Sequence, residues 1–158
     1  MQKLLKSKYQ LSNPKITKLG GYIHLNYKIE SGSETWILKV CPNKKEIVDL
    51  AEAENKILDF LNENESFPKP VKNNKYQSLT FQNEKNEVYR LLTYLKGDFF
   101  AETKHTPKLF ESLGTFLAKM DLQLQKFKNY VIEARQIEWD LKYFRLLNEL
   151  PTRPAVKL

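Results

Sequence analysis

Cysteine, arginine and long apolar runs are all scarce in this 158-residue chain. Cys41 stands alone, so no intramolecular disulfide can form and the cytoplasm is the expected compartment. On that expectation the sequon Asn64-Glu65-Ser66 is accidental. No stretch approaches the roughly 18 apolar residues of a membrane helix. The opening Met1-Gln2-Lys3-Leu4-Leu5-Lys6 also lacks the apolar segment of a secretory signal. The net charge is +7, yet lysines outnumber arginines 22 to 4 and no run of five basic residues occurs. Arginine is the usual residue for bidentate recognition of phosphates and bases, so nucleic acid is not the expected partner.

Against these shortages, 41% hydrophobic and 28% charged residues make an ordinary soluble globular composition with material for a core. Lys15 to Leu19 reads as a strand and is followed by Gly20-Gly21. Leu25 to Glu30 alternates apolar and polar residues, as a half-buried strand does, and Ser31-Gly32-Ser33 signals a turn. Thr35 to Val40 is a third strand, completing an antiparallel meander. From Glu46 to Asn62 the period becomes helical, with Ala53, Ile57, Leu58 and Leu61 on the apolar face. Phe67-Pro68-Lys69-Pro70-Val71 ends that helix. Tyr76 to Phe81 and Glu87 to Leu95 read as two further strands around a polar turn at 83–86. Thr106-Pro107 opens an amphipathic helix running to about Phe127, with Pro107 at a first-turn position. Its stripe of Leu109, Phe110, Leu113, Phe116, Leu117, Met120 and Leu124 is expected to be core. A last helix is expected over Glu138 to Leu147.

Lys39 is the anomaly. It sits inside Ile37-Leu38-Lys39-Val40, where an unpaired ammonium is costly to bury. A glutamate on the following helix could balance it, and Glu54 is in phase with the apolar stripe while Glu52 lies on another face. An ammonium so held keeps donors free for phosphate oxygens, and nearby glycines let backbone N–H groups approach the same anion. The plain alternatives are that Lys39 snorkels from an edge strand, that Gly20-Gly21 is a simple hairpin turn, and that Asn26 bridges a turn. Trp36, Trp139 and Cys41 are expected to be packing residues.

In order and spacing, LGGYIHLNYKI, WILKV, EAENKILDFL, FPKPV, LLTYLKG and WDL resemble the aminoglycoside phosphotransferase/choline kinase-like family, above all its hydroxylysine-kinase-like branch. The resemblance runs from about Tyr9 to Leu141. It implies an α+β, protein-kinase-like fold: a five-stranded antiparallel sheet with one inserted helix over residues 1–95. A hinge and the first helices of a truncated helical lobe would follow over 96–158. It implies ATP with Mg²⁺ as the cofactor and a small-molecule hydroxyl as the acceptor, with no nucleic-acid or membrane partner. Gly20, Gly21, Tyr22 and Asn26 would belong to the loop over the phosphates. Lys39 would contact the α- and β-phosphates and Glu54 would fix Lys39, while Ile37 would line the adenine pocket. The connection ending in Thr93, Tyr94 and Leu95 would offer backbone groups to the adenine edge.

The departures are equally specific. The family's later His-Gly-Asp-type segment, with its metal-binding asparagine and aspartate, has no counterpart around His24 or His105. Asp98-Phe99-Phe100 lies at the hinge and is not a metal motif. Asp140 belongs to the linker before the catalytic segment. No catalytic or metal-binding residue is therefore assigned, and the chain alone is expected to be inactive. A non-catalytic binding module that self-associates or meets a partner through exposed lobe surface is the competing expectation.

Overall fold

The computed structural model describes residues 1–21, 24–61 and 66–137. Its elements are α1 (Gln2–Tyr9), β1 (Lys15–Leu19), β2 (Leu25–Ser31), β3 (Glu34–Pro42), α2 (Lys45–Phe60), β4 (Pro70–Val71), β5 (Thr80–Gln82), β6 (Glu87–Thr93), α3 (Pro107–Leu124) and α4 (Tyr130–Glu133). The strands form an antiparallel sheet in the order β1-β2-β3-β6-β4, with β5 also paired to β6. The β2–β3 hairpin turns through Gly32, whose φ of +61° lies in the left-handed region that favours glycine.

Strand periodicity sorts the side chains onto two faces. Tyr27, Leu38 and Leu91 stand opposite one another, as do Leu25, Val40 and Tyr89. This face is covered by α1, where Leu4 and Leu5 join Ile29, Leu38, Val40, Tyr89 and Leu91 in the main core. The other face is covered by α2, where Cys41 and Val88 pack with Ala51, Leu79, Ile47 and Val48. Cys41 and Trp36 are thus packing residues, as expected.

Several boundaries differ from the sequence expectation. The sheet has six strands rather than five, because Pro70–Val71 pairs with Leu92 and Leu91. Proline is tolerated there because β4 is an edge strand. The strand expected from Tyr76 begins only at Thr80. Asn73 ends the preceding segment in a turn: its Oδ1 accepts from the N–H groups of Lys75 and Gln77, and its Nδ2 donates to Leu79 O and Thr80 Oγ1. Tyr76 consequently sits at φ +59° with 86% of its surface exposed.

The helix α3 starts at Pro107 in the first turn, as anticipated, and Thr106 caps it, its hydroxyl accepting from Leu109 N–H at 3.2 Å. The helix ends at Leu124, and Gln125 to Phe127 continue only as turns. No residue of α3 is buried, so its apolar stripe is not core among the described residues. Phe116 finds Phe67, with ring centroids 5.5 Å apart, while Phe110, Leu113 and Leu117 stay exposed. The helices α1 and α4 were not anticipated. The helix expected over 138–147, Trp139 and Asp140 lie outside the described residues.

Candidate functional site

Register brings three polar side chains into one row across the sheet. Asn26 on β2 faces Lys39 on β3, and Lys39 faces Arg90 on β6. Cross-strand partners share a face, and this is the face that α2 covers. Arg90 is only 5% exposed. A guanidinium so buried needs a counter-charge, and Glu54 supplies it: Arg90 Nη1 donates to Glu54 Oε2 at 2.6 Å.

The expected Lys39–Glu54 ion pair is not what forms. Among the described residues Glu54 is paired with Arg90, and no ion pair within 4.0 Å joins it to Lys39. Lys39 is half-buried and lines, with His24, Cys41, Leu50, Glu54 and Arg90, a cavity of about 20 Å³. Its surroundings therefore contain two cations and one carboxylate. Glu52, the other acid considered, lines a different depression beside Asn55, Asp59 and Leu79. Arg90 was missed, although it carries the same signal as Lys39: a charged residue inside the apolar strand Val88-Tyr89-Arg90-Leu91-Leu92.

Asn26, at the end of this row, is bonded to the backbone at Gly20 and His24. Asn26 Nδ2 donates to Gly20 O at 3.2 Å and to His24 O at 3.4 Å. A Cβ on Gly21 would lie 2.2 Å from His24 O and 2.6 Å from Asn26 Nδ2, so only glycine fits. A Cβ on Gly20 would meet nothing within 4 Å, so no steric demand singles it out. Tyr22 lies outside the described residues. Burial holds His24 below the usual histidine range, and the Lys39 ammonium adds to that depression, with smaller opposed effects from Glu54 and Arg90. His24 Nδ1, Asn26 Oδ1 and Arg90 Nε are buried without a hydrogen-bond partner.

Two residues along each strand, Ile37 stands between Lys28 and Leu92 on the same face and makes an apolar patch beside the cations. Thr93 faces the other way, and its N–H and hydroxyl are both committed to Lys69, at 3.0 and 2.8 Å. The pairing of β6 with β3 ends at Thr93, leaving the backbone of Tyr94 and Leu95 outside that register. The Tyr94 ring lies 5.6 Å from Lys28 Nζ. Among the described residues no cluster of three or more His, Cys, Asp or Glu side chains could hold a metal ion. No described helix is long and apolar enough to cross a membrane.

The profile of the phosphotransferase enzyme family matches residues 15–155. Hydroxylysine kinase from Bos taurus is 29% identical over an alignment of 166 residues, which takes in 92% of this chain and 44% of that protein. Spectinomycin phosphotransferase, crystallised with ADP and spectinomycin, superposes with a TM-score of 0.64 at 14% identity, covering 93% of this chain and 44% of that one. A microcompartment-associated aminopropanol kinase superposes equally well, at 0.64 and 19% identity, covering 90% of this chain and 45% of that one. The chain thus spans less than half the length of these relatives.

Proposed function

The chain belongs to the phosphotransferase enzyme family, and from that premise we propose that it is the ATP-binding portion of a small-molecule kinase with a hydroxyl acceptor. Residues 1–95 make the nucleotide-holding lobe, and the hinge begins at Lys96. Lys39 meets the α- and β-phosphates, the loop around Gly21 approaches them through backbone N–H groups, and Ile37 with Leu92 takes the adenine face. Tyr94 and Leu95 offer backbone groups to the adenine edge, whereas the Thr93 N–H is already spent on Lys69. Mg²⁺ arrives on the nucleotide phosphates, as that ion commonly does. The acceptor is a hydroxyl on a small polar, amine-bearing compound, by analogy with the relatives' named substrates.

The observation that carries this reading is the row Asn26–Lys39–Arg90, with two cations against one carboxylate, beside Gly21, where a Cβ would crowd His24 O and Asn26 Nδ2. Such a site has spare positive charge for an anion and an apolar patch one step away. The carboxylates that position the nucleophile and the metal are not assigned in this sequence, so these 158 residues alone transfer no phosphoryl group. Isothermal calorimetry with Mg-ATP tests the binding claim. The intact chain is expected to bind, and Lys39→Ala to bind at least about tenfold more weakly; equal affinity for the two would sink the lysine assignment.

One observation favours a second reading, a non-catalytic module that works by association. Phe110, Leu113 and Leu117 lie exposed along α3, where no residue is buried. Size-exclusion chromatography over a range of concentrations separates the two, since a monomer throughout counts against self-association.

A further inference from the structure

We propose that the groove between α2 and β5 is a docking site for an extended, lysine-bearing segment of a partner protein. It shares no lining residue with the cavity at Lys39, and the proposal stands whether or not a nucleotide binds there.

The groove has a volume of about 360 Å³ and is lined by Glu52, Asn55, Lys56 and Asp59 of α2, together with Leu79 and Phe81 at β5. The four helical positions follow at i, i+3, i+4 and i+7, so they make one face of α2. Within that face Asn55 is 4% exposed, and neither its amide oxygen nor its amide nitrogen is hydrogen-bonded. An amide left in that state lowers stability, which a leucine of similar size would not. What it offers is a donor and an acceptor side by side, the complement of the acceptor and donor of a peptide group. The strand β5 pairs only with β6 among the described residues, so its outer edge has no strand partner. An extended segment recognised through its backbone takes such an edge.

Charge selects the side chains of that segment. Among the described residues Glu52 and Asp59 have no ion-pair partner within 4.0 Å, and they outnumber Lys56 beside them. This local excess of negative charge stands against a net charge of +7 for the whole chain. Seven helical residues separate the two carboxylates by about 10 Å along the axis. Lysines at i and i+2 of an extended chain lie about 7 Å apart on one side, and their flexible stems span the difference. Phe81, 46% exposed, gives those stems apolar surface to lie on.

Fluorescence anisotropy of the full chain with a labelled Lys-Val-Lys-Val-Lys peptide tests the proposal. The intact chain is expected to bind this peptide and to ignore Glu-Val-Glu-Val-Glu. Methylating the backbone nitrogens of the lysine peptide keeps its charge and is expected to weaken binding at least about tenfold. Asn55→Leu is expected to weaken it as much without lowering the urea midpoint, which separates lost contacts from lost folding. Glu52→Gln combined with Asp59→Asn is expected to weaken it several-fold. An intact chain that binds neither peptide, or both alike, overturns the proposal. Equal affinities for the plain and methylated peptides, or for Asn55→Leu and the intact chain, overturn it too, because attraction would then be charge alone. Self-association on size exclusion that Asn55→Leu abolishes would give the groove to a second copy of the chain and likewise overturn it.

Discussion

A single methyl group added at Gly21 should break the contacts that tie Asn26, at the end of the cationic row, to Gly20 and His24. In Gly21→Ala the new Cβ would lie 2.2 Å from His24 O and 2.6 Å from Asn26 Nδ2. The two obstacles yield differently. Asn26 can swing aside, but it then gives up its bonds to Gly20 O at 3.2 Å and His24 O at 3.4 Å. The His24 carbonyl is backbone and moves only if the loop moves. At about 0.5–1.5 kcal/mol of net stability per hydrogen bond, losing both costs about 1–3 kcal/mol, and their length favours the lower half. Replacing glycine by alanine also restricts the unfolded chain, which returns about 0.4–1 kcal/mol. The expected net loss from these two effects is about 0–1.6 kcal/mol, to which any shift of the His24 backbone adds. Gly20→Ala is the control, since nothing lies within 4 Å of its added Cβ; it should be neutral or stabilising by up to about 1 kcal/mol. Urea unfolding followed by circular dichroism reads both variants. Coincident midpoints for the two alanines would refute the steric argument.

Three further outcomes follow from buried groups. His24 sits below its ordinary value of 6.5, so the unfolded chain takes up a proton there that the folded chain resists. Stability from this source is full above that value and drains as pH falls below it; between about pH 7.5 and about pH 5 the urea midpoint should drop less in His24→Gln than in the intact chain, and equal drops would count against it. Burial pushes the Cys41 thiol up, and Sγ reaches only Val88 O at 3.7 Å. A disulfide reagent near neutral pH should therefore label Cys41 slowly until denaturant is added, and fast labelling of the native chain would contradict its burial. Asn55 is buried with neither amide atom hydrogen-bonded. Asn55→Leu should raise stability by about 1 kcal/mol, whereas a lowered midpoint would mean the amide has a partner.

What the sequence disclosed tracks how local the physics is. Alternation over Leu25 to Glu30 and the run of β-formers from Thr35 to Val40 reported the meander, and Thr106-Pro107 announced the start of α3, because each signal lies within a few residues. The helix α1 was silent: eight residues with three lysines hold together through Leu4 and Leu5 packing under a sheet that forms later in the chain. At Tyr76 an aromatic suggested a strand, but the hydrogen bonds of Asn73 imposed a turn. The candidate site divides in the same way. Lys39 and Glu54 were visible as anomalies of pattern, but a carboxylate cannot be matched to one of two cations without knowing that β6 lies beside β3. Arg90, separated by 36 positions from Glu54, wins it only in three dimensions.

The placement of α1 sets a practical boundary. The family match begins at residue 15, which invites trimming everything ahead of it. Trimmed there, the protein would lose Leu4 and Leu5 and bare the underside of its central strands, Ile29, Leu38 and Leu91 among them. The unit that folds is longer at its front than the unit that aligns.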